Sequence, residues 1–155
     1  MAEPISEFRG VYSFLSNFHP SPIFYDGLIF PTNEHFFAAM KSEHRSDWVK
    51  VASAGTPALA KRAGRNVILR PNWDLIRVKV MLYGLRLKFM QKGLVEQLLA
   101  TGDADLIEGN WWHDNFWGSC SCHNCIGTPG SNMLGKLLVQ VRYEISVSPS
   151  ALFWQ

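Results

Sequence analysis

The chain has 155 residues, enough for one domain with a real core, and 47% of them are hydrophobic. A formal net charge of +2 with no long Lys/Arg run excludes a polybasic nucleic-acid tail, so nucleic acid is permitted and not implied. Met1 to Phe8 has neither a basic n-region nor an apolar h-region, and no apolar run approaches the roughly 20 residues that span a bilayer, which places the protein in the cytoplasm.

Residues 8 to 30 alternate apolar residues with turn formers, so the fold is expected to begin with short strands. Asp26-Gly27 between Ile23-Phe24-Tyr25 and Leu28-Ile29-Phe30 signals a hairpin. Thr32 or Asn33 then caps a helix through Lys41. A second helix spans Ser46 to Ala54, and Thr56-Pro57 supplies the N-cap and first-turn proline of a third that ends at Gly64. Asn72 caps the longest helix, Trp73 to about Gln91. Its Trp73, Ile76, Val80, Tyr83, Gly84 and Leu87 keep helical spacing, while Arg77, Lys79, Arg86 and Lys88 fill other faces. Leu94 to Ala100 is helical, and Leu106-Ile107-Glu108 reads as a strand. After a Gly/Pro/Ser-rich loop from Ser119 to Gly130, Ser131 or Asn132 caps a final helix with Leu134, Leu137, Leu138 and Val141 on one face. Ser146 to Gln155 reads as a tail.

The richest segment is Leu106 to Gly118, where Glu108, His113 and Asp114 stand among Trp111, Trp112, Phe116 and Trp117. Aromatic faces hold a planar ligand and exclude water, and a carboxylate beside them can be tuned for proton transfer or for stabilising a cation. Cys120, Cys122 and Cys125 follow within six residues, an odd set unlike a secreted disulfide framework. With His113 or His123 they could supply four zinc ligands. The spacing C-x-C-x-x-C lacks the second distant knuckle of structural zinc sites, however, and adjacent ligands would be cramped. The expectation is therefore a reduced polar loop and no metal.

Gly130 to Lys136 has the spacing of a phosphate-binding loop, but Leu137 replaces the Ser or Thr that binds magnesium and no clear apolar strand leads into it. What survives is a small-residue loop opening a helix, whose N–H groups and Lys136 could meet an anion. Glu34 lies in the first turn of its helix with Lys41 on the same face, a position that by itself only matches the helix dipole. Arg65, Arg70 and Arg77 surround the Pro71-Asn72-Trp73 turn, where guanidinium groups beside an indole could hold phosphate and stack a base.

Together, Phe14 to Phe18, Phe30 to His35, Ala60 to Arg65, Trp73, Asp114 to Gly118 and Asn132 to Lys136 resemble the NADAR family, also called YbiA-like, over roughly residues 8 to 143. The resemblance implies a single α+β domain, mostly helical, with a short N-terminal hairpin. It implies N-glycosidase activity on the phosphoribosylamino-pyrimidine intermediates of riboflavin synthesis, or removal of ADP-ribose from modified guanine in nucleic acid. By position in the family motifs, it assigns catalysis to Glu34, Trp73 and Asp114, and substrate binding to Asn17, Lys41, Arg65, Arg77, Trp117, Gly118, Asn132 and Lys136. The loop from Cys120 to Thr128 departs from the shorter Gly/Asp-rich connection of many members, which points to a role in access or substrate choice.

Hydrolysis of a ribosyl C–N bond passes through an oxocarbenium-like sugar, so two separated acids suffice: one activates water or stabilises the cation, the other contacts the ribose or the leaving amine. Trp73 would stack the heterocycle or wall the pocket, and Arg65, Lys136 and the last helix N-terminus would take the 5′-phosphate or pyrophosphate. No metal or redox cofactor is required, and the expected partner is a small nucleotide-like substrate. Two other classes remain: a non-catalytic module that binds ADP-ribose with the same stacking ring and phosphate donors, and a structural or interaction protein whose exposed Cys/His loop binds zinc and a partner.

Overall fold

The Asp26-Gly27 pair makes the turn its residue types favour. Both residues have positive φ, 47° and 74°, the mirror-image turn that matches strand twist. In the computed structural model, which describes residues 2–148, β1 (Ile23–Tyr25) and β2 (Leu28–Phe30) therefore pair antiparallel, with Ile23 opposite Phe30. Two units are built by Asn17–Lys88 and by the chain on either side of it.

Within the first unit, α1 (Asn33–Ala39) is buried at nearly every position. Thr32 caps it by accepting from the His35 N–H, and the His35 ring spans from Thr32 Oγ1 at 2.8 Å to the Ala54 carbonyl at 2.9 Å. Around α1 pack α2 (Arg45–Ala52), α3 (Pro57–Ala63, with Thr56 as cap) and α4 (Trp73–Lys88). Tyr25 joins hairpin to helices, its ring 5.5 Å from Phe36, 5.9 Å from Trp48 and 6.0 Å from Tyr83. Arg45 reaches back to pair with Asp26 on the surface.

In the second unit, residues 10 to 15 depart from the expected strands: Gly10–Leu15 is a 3-10 helix that turns Phe14 and Leu15 inward. Ile5 instead bridges Leu106, donating to Asp105 and accepting from Ile107, each at 2.8 Å. The strand expected at 106–108 is displaced to β3 (Gly109–Asn110), which pairs in parallel with β4 (Ser119–Cys120) and closes the aromatic loop at its base. Next to these lie α5 (Lys92–Ala100) and α6 (Met133–Val147), whose Leu134, Leu137, Leu138 and Val141 are buried as their spacing predicts. Helix α6 takes in Ser146 and Val147 of the expected tail, and the remainder from 149 lies outside the described residues. The α+β class holds, with far more helix than strand, and among the described residues no helix is long and apolar enough to cross a membrane.

Two sites make the packing measurable. A Cβ on Gly84 would lie 2.2 Å from Asn33 Oδ1 and 2.9 Å from the Phe36 ring, so α1 and α4 approach only because this residue has none. Gly84→Ala should lower unfolding free energy by about 1–3 kcal/mol. Gly93→Ala, where a Cβ meets nothing within 4 Å, should raise it by about 0.5–1 kcal/mol in the same denaturant titration.

Buried Asp47 accepts from Ser42 Oγ at 2.7 Å and from the Ile68 N–H at 3.1 Å, and these bonds hold its carboxyl below the ordinary value of 3.8. A depressed folded pKa contributes stability that is complete above the unfolded value and lost as pH falls through the folded one. Asp47→Ala should cost about 1–3 kcal/mol at neutral pH, and its gap to wild type should narrow in acid. A gap independent of pH would show that the site works through shape alone.

Candidate functional site

The candidate residues of Asn17–Lys88 are spread along α1, from Asn17 and Glu34 at its start to Trp73 on Phe37 and Lys41 past its end. Asn17 is buried; its carbonyl accepts from the Glu34 N–H at 3.0 Å, and its side-chain oxygen accepts from the Asn33 amide at 2.8 Å. Asn17 thus fixes where Glu34 begins its helix, and its side chain is spent on the fold. Glu34 is half-buried in the first turn, where N–H dipoles favour a carboxylate. Lys41 lies beyond the other end of α1, and its ammonium is pushed down from 10.5, first by burial, with the charge of Glu34 opposing and those of Arg65 and Lys61 reinforcing the shift. Glu34, Arg65 and Lys61 are therefore each near enough to act on the charge of Lys41.

Trp73 opens α4 with its ring 5.1 Å from that of Phe37 and only 7% of its surface exposed. It is built in as a wall, with little face left for stacking. Arg77, one turn on, lies 4.0 Å from Asp74. Arg70 ties the chain back by donating to the Lys41 carbonyl through its N–H at 2.8 Å and to the Ser42 carbonyl through Nη2 at 2.9 Å.

The other candidates lie on the loop between β3 and β4 and on the entry to α6. Asp114 Oδ1 accepts from the N–H groups of Phe116 at 3.2 Å and Trp117 at 2.9 Å, a local turn that fixes the carboxylate direction. Asn110 clamps the same loop, accepting from Trp112 and Asp114 and donating to the Asp114 carbonyl at 2.8 Å. The rings pair edge to face, Trp111 with Trp112 and Phe116 with Trp117. Arg9 covers one face of Trp111 at 4.1 Å.

The anion cradle expected at the last helix is already filled. The N–H groups of Ser131, Asn132, Met133 and Leu134 donate to the carbonyls of Asn115, Gly118, Phe116 and Trp117 at 2.8–3.1 Å. Asn132 has φ 48° and makes no side-chain cap; its amide accepts from the Glu108 N–H at 3.0 Å and donates to the Leu106 carbonyl at 2.8 Å. Gly118 is buried, with the Glu108 carbonyl 2.3 Å from where a Cβ would be. Asn132 and Gly118 therefore serve the close packing of the loop on α6, while exposed Lys136 remains the available charge there.

Two features run against expectation. Lys88, assigned by helical spacing to a polar face, is fully buried, and burial pushes its amine down to about 7. A charged residue spaced like its solvated neighbours gives no sequence signal of that. The thiol cluster also escapes the crowding expected of it: His113, Cys120, Cys122 and Cys125 bring their ligand atoms within 4.8 Å of one another. Burial pushes the Cys120 thiol up, but hydrogen bonds from the Cys122 and His113 N–H groups and from the other thiols outweigh it and the net shift is downward. Cys125 is pushed up to about 11 by its hydrogen bond with Cys122 and by burial. A separate cleft of about 420 Å³ near Ile5, Val11, Phe14, Gln97 and Ala104 lies in the same unit, and its lining residues are not among the candidates.

The chain is 36% identical over 139 residues to the N-glycosidase YbiA of Escherichia coli, covering 88% of this chain and 83% of that protein. It is 36% identical over 140 residues to the N-glycosidase Npun_R5314 of Nostoc punctiforme, covering 86% of each. It also matches 137 residues of the riboflavin biosynthesis protein VVA0006 of Vibrio vulnificus at 38% identity, spanning 36% of that longer protein. The solved structure of E. coli YbiA superposes with a TM-score of 0.79 at 33% identity, covering 96% of this chain and 89% of the other. The NADAR domain model matches residues 5–146, and the chain belongs to the NADAR domain family.

Proposed function

We infer that the bond cleaved by this N-glycosidase is the ribosyl C–N bond of a phosphoribosylamino-pyrimidine, the class of intermediate on the route to riboflavin. Hydrolysis of N-glycosyl bonds rests on the family and on relatives that carry that activity in their names across most of both chains. The riboflavin relative supports the substrate class. The observation that carries the reading is the charge around Lys41, on which Glu34, Arg65 and Lys61 all act, since a phosphorylated sugar offers a developing cation at C1′ to an acid and a dianion at C5′ to cations.

In this reading Glu34 activates water or stabilises the oxocarbenium-like sugar. Asp114, its carboxylate aimed by two N–H groups, contacts the ribose or the leaving amine. Trp73, packed on Phe37, walls the heterocycle. Lys41, Arg65 and Arg77 take the phosphate, with Lys136 and Trp117 as further contacts, and the reaction is placed in the cytoplasm. A second reading, release of ADP-ribose from modified guanine in nucleic acid, draws on the same cations, because three positive groups suit a pyrophosphate as well as a phosphate.

Both substrates, incubated side by side with purified protein, test this. Ribose 5-phosphate released from the pyrimidine supports the first reading, and free ADP-ribose supports the second. If both stay intact while ADP-ribose binds in a calorimeter, the protein is a binding module.

Glu34→Gln and Asp114→Asn keep shape, and in Asp114→Asn one oxygen can still accept from Phe116 and Trp117. Each should lower kcat roughly a hundredfold or more while thermal unfolding is little changed. Lys41→Ala should act mainly on KM, as expected for a group that binds substrate and transition state alike. Wild-type rates in both acid variants would remove them from the mechanism.

A further inference from the structure

We propose that His113, Cys120, Cys122 and Cys125 form a structural zinc site that clasps the aromatic loop to the chain leading into α6. Four ligand atoms within 4.8 Å of one another is the compactness a single tetrahedral ion needs. His113 Nδ1 lies 3.2 Å from Cys122 Sγ and 3.5 Å from Cys125 Sγ. With metal–sulfur bonds of about 2.3 Å and metal–nitrogen bonds of about 2.0–2.1 Å, tetrahedral ligands stand roughly 3.5–3.8 Å apart, so small adjustments suffice. The four comprise three soft thiolates and one imidazole, a donor set that selects zinc over hard cations.

The backbone is arranged around this set. His113 sits at φ 69°, a left-handed conformation that costs a non-glycine residue energy and turns its ring toward the thiols. The N–H groups of His113 and Cys122 donate to Cys120 Sγ at 3.3 and 3.4 Å, the outer hydrogen bonds that offset the charge of a metal-bound thiolate. Cys122 and Cys125 stand on one turn, where the N–H groups of Cys125 and Ile126 both donate to the Cys122 carbonyl.

The segment also lacks any other anchor of comparable strength. Residues 121–129 are exposed or half-buried throughout, and Ile126, its largest apolar side chain, is 71% exposed. Turns that bury so little apolar surface gain order from a cross-link, and a bound ion supplies one directly. The missing second knuckle is thus provided by His113, seven residues upstream across the β3–β4 pairing. The ion takes no step in hydrolysis; it fixes the loop that carries Asp114 and Trp117.

The test uses untagged protein purified under reducing conditions. Elemental analysis should find about one zinc per chain. Cobalt(II) exchanged into the wild type should give thiolate-to-cobalt charge-transfer absorption with the intense visible bands of a tetrahedral site. Cys122→Ser and His113→Ala should each lose the metal, whereas His123→Ala, at a histidine outside the cluster, should retain it. Chelation should lower the wild-type unfolding temperature. Because the wild-type measurements do not depend on any variant folding, they decide alone: reduced protein without zinc that gives no charge-transfer band with cobalt overturns the proposal. So does loss of metal in His123→Ala with retention in His113→Ala.

Discussion

The constraint on which this structure depends is the satisfaction of buried backbone groups in a chain with very little sheet. Its strands are two or three residues long, so ladders cover few of the N–H and C=O groups that the loops take into the interior. Asparagine fills the gap, because one planar side chain both donates and accepts. Asn17 and Asn33 join the hairpin side of α1 to its first turn. Asn110 closes the aromatic loop, Asn115 accepts from the Cys120 N–H at 2.8 Å, and Asn132 spans residues 106 to 108. Aspartate could not substitute at most of these positions without placing one lone pair against another.

The same device positions the chemistry. Both candidate acids are held through the backbone: the Glu34 N–H is fixed by the Asn17 carbonyl at the start of its helix, and the Asp114 carboxylate accepts from the amides two and three residues ahead. Backbone donors are rigid and carry no titratable charge, so the direction of an acid set by them does not change with pH. Around Lys41, Glu34, Arg65 and Lys61 add charge of both signs.

Local rules were legible wherever the determining residues lie close in sequence. Asp26-Gly27, Thr32 and Thr56-Pro57 act within four residues of themselves, and each built the turn or cap expected. The spacing of Leu134, Leu137, Leu138 and Val141 revealed a buried face for the same reason. Gly10–Leu15 misled because its aromatic and aliphatic residues suit a strand, while the pairing in this part of the chain is made by Ile5 with Leu106, about a hundred positions away. Asn132 looked like a cap because caps are local, yet its partners are Leu106 and Glu108. The thiols looked crowded in one dimension, and only the parallel pairing of β3 with β4 shows how His113 reaches them. Family motifs supplied Glu34, whose position alone would have left it a dipole-matching residue.

The contact between residues 115–118 and the first turn of α6 has a further consequence. The carbonyls that cap the helix belong to the loop that aims Asp114, so the loop cannot swing outward without uncapping the helix and exposing Leu134 and Leu137 behind it. Motion of the candidate acid is thereby tied to fraying of a core element. On slow heating, such a loop should not loosen ahead of its scaffold: amide exchange at Phe116 and Trp117 would share the protection of the helix, and ordering of the site and integrity of this part of the fold become a single cooperative event.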